Sequence, residues 1–217
     1  MKSKPWTLFS FLLLSTVSFA QKKFSEGTIT YDISITSNSD KPKNADYLDG
    51  TTVTNYIKGN KSRSEMVNAL GTMTTIHDSA KNSIVILKEF GEQKYMITLT
   101  PEEWKDANKK YEGISYSLNS DEKTIQGYKC RKATATLPDG TTYTFWYTTD
   151  LVPENKNFQY ETRSLPGLAL EYEIESKERK ITYTVSKISF SPVPANKFEL
   201  PKSGYRIMTY AESKGKN

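Results

Sequence analysis

The sequence predicts a mainly β protein, built as a single, strongly curved antiparallel sheet (a half-open barrel) with one short helix. Three observations carry that expectation. Apolar side chains recur at alternate positions in many short stretches, as at Ile29, Tyr31, Ile33 and Ile35 with Thr, Asp and Ser between them. That is the period of a half-buried strand. Turn residues separate the stretches at roughly ten-residue intervals, for about ten or eleven strands, and a sheet of that size has to curl or close. Long amphipathic segments and Gly-rich nucleotide turns are missing from the sequence, which excludes a doubly wound α/β fold. Composition agrees: 14 Tyr and 9 Phe supply large amphipathic area, and abundant Thr, Tyr, Val and Ile favour pleated surfaces.

The chain opens on a leader. Lys2 and Lys4 precede an apolar run from Leu8 to Val17, and Ser18-Phe19-Ala20 sets small residues before Gln21. This is the layout of a secretory signal peptide cleaved after Ala20, and its apolar run is too short for a permanent span. Gln21, not a cysteine, stands directly after the cut, so lipidation is not expected. Residues 1–20 are therefore read as signal peptide and 21–217 as a single β domain, periplasmic or secreted and not membrane-spanning. Taking the 20-residue leader from 217 leaves 197 residues, which suits one domain with a substantial core. Losing Lys2 and Lys4 lowers the formal charge from +5 to +3. The remaining excess is spread along the chain, which argues against nucleic acid.

Strands are expected over 28–36, 51–58, 62–67, 73–78, 83–87 and 94–99, with a polar loop at 37–50 and a tight turn at Lys58-Gly59-Asn60-Lys61. Thr100-Pro101-Glu102-Glu103 then reads as a capping box, with Thr100 as N-cap and Glu103 three residues into the helix. Trp104 is its inward anchor, so the helix forms a lid on the end of the sheet. The clearest hairpin runs over 127–137 and 141–149 around Pro138-Asp139-Gly140. Trp146 lies out of phase with Tyr143, Phe145 and Tyr147, so that strand is buried on both sides or looks into a cavity. Leu170, Tyr172 and Ile174 begin another hairpin, turning at Ser176-Lys177-Glu178-Arg179, with Ile181, Tyr183 and Val185 returning. A phase change to Ile188 and Phe190 predicts a bulge. Pro192, Pro194 and Pro201 end regular pairing, and a polar, flexible tail is expected from about residue 211.

Catalytic chemistry finds few candidates. His77 is the only histidine, and on a strand its neighbour Asp78 points to the opposite face. It reads as a surface or pocket-rim residue. Cys130 is the only cysteine, so no internal disulfide forms; it is either a small buried strand residue or a site of intermolecular bridging. One His and one Cys do not make a metal site, and calcium loops are missing. Glu171, Glu173 and Glu175 share a strand face with basic residues nearby, which fits a solvated face better than paired catalytic carboxyls. Neither an enzyme nor a cofactor is expected. Leu165-Pro166-Gly167-Leu168 is apolar yet carries two turn formers, so it is no strand interior. It is either a packed loop plugging one end of the sheet or a hydrophobic flap at a ligand mouth.

Several of these segments, taken together, match a known pattern. Ile125-x-Gly127-Tyr128-x-Cys130-x-Lys132-Ala133, Thr144-x-Trp146-Tyr147-Thr148-x-Asp150 and Leu165-Pro166-Gly167-Leu168 resemble the exported proteins named for a Gly-Leu-Pro-Gly-Leu-Ile motif and a related domain of unknown function, typical of Bacteroidota envelopes. Phe24-x-Glu26-Gly27-x-Ile29-x-Tyr31 and Phe198-x-Leu200-Pro201-x-x-Gly204-Tyr205 fit the same pattern. Ser164 replaces the motif's first Gly, and Ala169 its final Ile. Such proteins are similar to the lipoprotein-carrier fold (LolA and LppX type), a half-open barrel with a helical lid. The resemblance implies a fold and transfers no catalytic residue. On this basis the chain is expected to hold an apolar ligand, an acyl chain or lipoprotein lipid, against Trp104, Trp146, Tyr147, Leu165 and Leu168. The alternative is an envelope interaction module, filled by its own side chains, that binds a partner protein through a sheet edge or loop.

Overall fold

Alternation along the chain becomes strand pairing almost throughout the computed structural model, which describes residues 22–37, 48–175 and 179–215. The expected signal peptide, most of the polar loop before Gly50 and the turn at 176–178 lie outside the described residues. Strands β1 (Lys22–Phe24) to β7 run as β2 (Glu26–Ser37), β3 (Thr52–Lys58), β4 (Lys61–Asn68), β5 (Gly71–Asp78), β6 (Ser83–Phe90) and β7 (Gln93–Leu99). Helix α1 (Pro101–Ala107) separates them from β8 (Ser115–Ile125), β9 (Tyr128–Thr136), β10 (Thr142–Thr148), β11 (Leu151–Pro153), β12 (Leu168–Glu175), β13 (Arg179–Ser189) and β14 (Arg206–Thr209), and α2 (Tyr210–Lys214) follows. The polar stretch read as a tail thus carries a helix up to Lys214, capped by a Thr209–Glu212 box and tied to α1 by Tyr210 and Lys214 on Asp106.

Twelve strands form one sheet in the order β14-β7-β6-β5-β4-β3-β2-β13-β12-β10-β9-β8. This corrects three expectations. The sheet is open and not strongly curled, with β14 and β8 as its two ends. It is not purely antiparallel, because β14 runs parallel to β7. A second sheet exists, the parallel pair β1 and β11. The strand count also rises, to fourteen among the described residues. Three of the additions (β1, β11 and β14) have three or four residues, too few to show a period. The fourth, β8, is an edge strand with one buried residue, Ile125, so its side chains carry little alternation.

The large sheet avoids closure by covering its faces with connections. On the inner face, residues 151–165 lie across the sheet and deliver Leu151, Phe158 and Leu165 to the main core, with Ile29, Tyr31, Ile57, Ala133, Phe145, Leu168 and Leu170. Around β6 and β7 both faces are apolar. Ile84, Ile97 and Leu99 pack with Met208 and Trp104 on one side, and Ile76, Val85 and Leu87 with Tyr205 on the other. Cys130 is fully buried as a free thiol, and burial pushes its pKa up to about 11. The expected bulge falls between Val185 and Lys187. The β8–β9 turn carries positive φ at Gln126 and Gly127, the pattern of a two-residue type I′ hairpin.

Candidate functional site

The inner faces of β3, β4 and β5 differ from the rest of the core. Alternation points Val53 and Asn55 inward from β3, Ser62, Ser64 and Met66 from β4, and Thr75 and His77 from β5. Register aligns Asn55 with Ser64 and Ser64 with Thr75, and sets Ser62 opposite His77. A polar floor therefore spans three adjacent strands. Above it lies a half-open cavity of about 190 Å³, bounded by Trp104 and Asn108 at the lid and by Phe158, Tyr160 and Glu161 of the covering connection. Tyr172 and Tyr183 complete the wall.

Helix α1 places the lid. Thr100 Oγ1 accepts from the Glu103 backbone N–H at 3.2 Å, and Glu103 Oε2 accepts from the Thr100 N–H at 2.8 Å, so both partners of the capping box are present. One turn further on, the Trp104 ring sits 6.2 Å from His77 and 6.2 Å from Tyr160, edge to face with the latter. Outside the lid, Glu112 accepts from Tyr160 and from Arg163, the latter at 2.9 Å, and the Arg163 guanidinium lies 4.0 Å above the Tyr160 ring. This cluster pins the 160–163 turn over the floor.

Electrostatics mark three groups in the cavity. Asn55 is 2% exposed and its Nδ2 has no hydrogen-bond partner. His77 is 8% exposed and its Nδ1 has none either. Burial holds the imidazole below its ordinary pKa, against a hydrogen bond to the Asn157 backbone and the nearby Asp78 carboxylate, which favour the charged form. Glu161 is the third. The residue as a whole is half-buried, but its carboxyl is enclosed, and desolvation raises its pKa from 4.5. That carboxyl opposes ionisation of Tyr31, Tyr111, Tyr116, Tyr143, Tyr172 and Tyr183, so it faces a tyrosine-rich wall. Among the described residues no group of three or more His, Cys, Asp or Glu side chains is placed to hold a metal ion.

The five residues expected to line a ligand site do not come together. Trp104 lines the cavity. Tyr147, Leu165 and Leu168 are buried in the main core, and the Leu-Pro-Gly-Leu segment packs there, with Leu165 and Leu168 beside a small cavity of about 10 Å³. Gly167 explains the motif's glycine: a Cβ there would lie 1.9 Å from the Thr148 carbonyl oxygen. Ser164 has no positive φ, so its turn does not need the glycine it replaces. Trp146 lies on the opposite face of β10 from Phe145 and Tyr147. There Lys123 sits 4.4 Å over its ring while bonding Glu171 at 2.6 Å, so the strand is covered on both sides at this residue. His77 fits its reading as a pocket-rim residue, whereas the rest of the polar floor lies outside the expected lining. Its signal was nonetheless present, since Asn55 stands midway between Val53 and Ile57, both inward by alternation.

The chain belongs to a family defined as a domain of unknown function, DUF4412, whose model matches residues 45–205. No curated protein matches the sequence significantly. Among solved structures, PNGF-II superposes with a TM-score of 0.50 at 13% identity, over 88% of this chain and 34% of its own. This chain thus spans about a third of that protein, and the likeness shows a shared fold. Lower scores are found with lipoprotein LppX of Mycobacterium tuberculosis (0.41, 12% identity, 78% of this chain and 89% of that one) and with MucB (0.42, 10% identity, 82% and 58%). Among the described residues no helix is long and apolar enough to cross a membrane.

Proposed function

We propose that the chain is an exported, non-enzymatic binding domain whose ligand sits in the cavity between the β3–β5 floor and Trp104, in keeping with its resemblance to the Gly-Leu-Pro-Gly-Leu-Ile proteins. One observation carries the reading: Asn55 and His77, each holding a buried polar atom without a partner, help to line an aromatic-walled space. Native proteins rarely leave such groups unsatisfied unless something else meets them. At about 190 Å³ the space is smaller than the ~300 to 1,000 Å³ typical of drug-sized sites. It suits a compact ligand, or the end of a longer one, with an apolar face on Trp104, Phe158 and Tyr172. An extended acyl chain is a poor match to its polar floor, and a lipid would enter by its head or by a short apolar end. Native mass spectrometry of protein purified from the cell envelope tests the reading. A bound small molecule is expected, and Trp104→Ala should lose it; a clean unliganded mass for the natural sequence would overturn the proposal.

A second reading has one observation in its favour. The Leu165–Leu168 plug fills the β9–β12 half with the protein's own side chains, as an envelope interaction module would require. Its surface would then be the β8 edge, where Leu118 is exposed. Binding of a partner protein that survives Trp104→Ala and fails on Leu118→Lys would favour this reading.

A further inference from the structure

If the cavity is the binding site, as proposed above, the charge of its wall narrows the ligand's chemistry. Five aromatic rings border it, those of Trp104, Phe158, Tyr160, Tyr172 and Tyr183, and Glu161 supplies a carboxyl. Among the described residues no Lys or Arg lines it. His77 adds no opposing charge, because burial holds its imidazole below the ordinary pKa. The face of an aromatic ring is the negative end of its quadrupole. Rings and carboxylate therefore act in the same sense, favouring a positive guest and repelling an anion. The carboxyl also lacks a counter-ion. Its one hydrogen bond is to its own backbone N–H, and among the described residues no cation pairs with it. Lys110, whose field reaches it, lies 4.7 Å over the Tyr111 ring, and Arg163 is held by Glu112 at 2.9 Å. Its oxygens are not among the sealed atoms without a partner, so the carboxyl opens on the cavity that Glu161 lines. An enclosed carboxylate without a counter-ion is costly, and a cation in the cavity would offset that cost.

The rings decide which kind of cation fits. A hard metal ion needs several oxygen ligands, and among the described residues no group of three or more His, Cys, Asp or Glu side chains is placed to supply them. Aromatic faces instead suit a cation whose charge is spread over carbon-bound surface. Tyr160 already shows the pairing, since its ring carries the Arg163 guanidinium at 4.0 Å. Tyr172 and Tyr183 stack with centroids 4.3 Å apart, and both feel the field of the Glu161 carboxylate, so rings and carboxylate share one space. We propose that the cavity binds the head of an organic ammonium ion, its charge against Glu161 and its carbon-bound surface against Trp104 and Tyr172. Ser64 and Thr75 on the floor offer hydroxyl oxygens to the N–H groups of a primary amine, whereas a methylated head would rest on the rings. Such a cation comes free or as the headgroup of a lipid.

Uncharged molecules of the same shape make the test direct. The purified chain is titrated calorimetrically with choline, ethanolamine, dihexanoylphosphatidylcholine and lauric acid, and with the neutral twins 3,3-dimethylbutanol (for choline) and 1-propanol (for ethanolamine). At least one ammonium compound should bind, and a neutral twin about 10-fold or more weakly. Glu161→Gln should weaken the ammonium by about 10- to 100-fold. That variant is expected to fold, since it removes an enclosed charge and keeps the side chain's shape. Trp104→Leu, which keeps apolar bulk without the ring, should weaken the ammonium by about 3- to 30-fold. An ammonium that binds only as the lipid identifies a headgroup, and one that binds without it a free ligand; both support the proposal. It is overturned if no ammonium compound binds, if a neutral twin binds as tightly as its cation, or if Glu161→Gln binds like the natural chain. Binding of lauric acid alone would sink the ammonium and leave the binding-domain reading standing. No binding by any probe, with a clean native mass, would remove both.

Discussion

Two halves of the same sheet turn their inner faces to the same side and use them differently. Over β9, β10 and β12 the inward residues are Ala133, Ala135, Phe145, Leu168 and Leu170, and the covering connection meets them with Leu151 and Leu165, leaving beside Leu165 and Leu168 a space of only about 10 Å³. Over β3, β4 and β5 the same alternation brings Asn55, Ser62, Ser64, Thr75 and His77 inward, and the same connection meets them with Phe158, Tyr160 and Glu161 above an open cavity. Period two decides which side chains point in, and side-chain type then decides whether the interior is a core or a site. A strand can be regular in backbone and still break the apolar rule at one inward position. Those exceptions are where function is to be sought.

Substitutions can break or sharpen this contrast. The largest effect is expected in the solid half. Leu168→Ala leaves a void among fully buried neighbours and should cost about 2 to 5 kcal/mol in denaturant unfolding, with ligand affinity untouched in whatever fraction stays folded. A loss well under that range would mean the plug is looser than its packing. Gly167→Ala drives a methyl into the Thr148 carbonyl and should cost about 1 to 3 kcal/mol. A neutral result there would show that the plug can lift.

Effects in the cavity half are smaller and more specific. Thr100→Ala removes the cap of α1 at an exposed site. A loss near 1 kcal/mol is expected, with hydrogen exchange quickening in α1 and the Trp104 fluorescence changing, while the β9–β10 hairpin keeps its protection. Glu161→Gln depends on pH. Because burial raises the carboxyl's pKa in the folded chain, the folded state holds that proton more tightly than the unfolded one. Its contribution is fully present below about 4.5 and is lost as pH rises through the raised value. The glutamine variant should therefore melt higher than the natural chain at neutral pH and match it in acid; thermal melts across that range decide it. Equal melting temperatures at neutral pH would place the carboxyl in water.

Much of this fold could be read from residues alone. Ile29 to Ile35 announced β2, Thr100 to Glu103 announced α1, and the phase change after Val185 announced the bulge; each is a local pattern with a local cause. Other features have non-local causes. Whether a long sheet curls or stays open depends on what covers it, and covering is done here by residues 151–165 and by the segment leading to Tyr205, which have no regular period. Edge strand β8 buries little and so leaves no alternating record. The site was half legible. Trp104 was found because a single large apolar residue in a polar helix needs a place to go. His77 reads as a surface or pocket-rim residue and lies on the lining, but the rest of the floor is not legible, because Asn55 looks ordinary unless its phase with Val53 and Ile57 is followed across to β4 and β5.

The parallel pairing of β14 with β7 has a consequence for how copies of this protein behave together. A long open sheet ends in two rows of unmatched amide groups, each a template for another chain to extend. One terminus is blocked by a strand of four residues that immediately turns into α2. At the other, β8 is broken by a register shift between Leu118 and Glu122 and carries Asp121, Glu122 and Lys123. Runaway polymerisation is thus discouraged by a stub on one side and by an irregular, charged border on the other, and the molecule can keep twelve strands in an unclosed array without growing into a fibre.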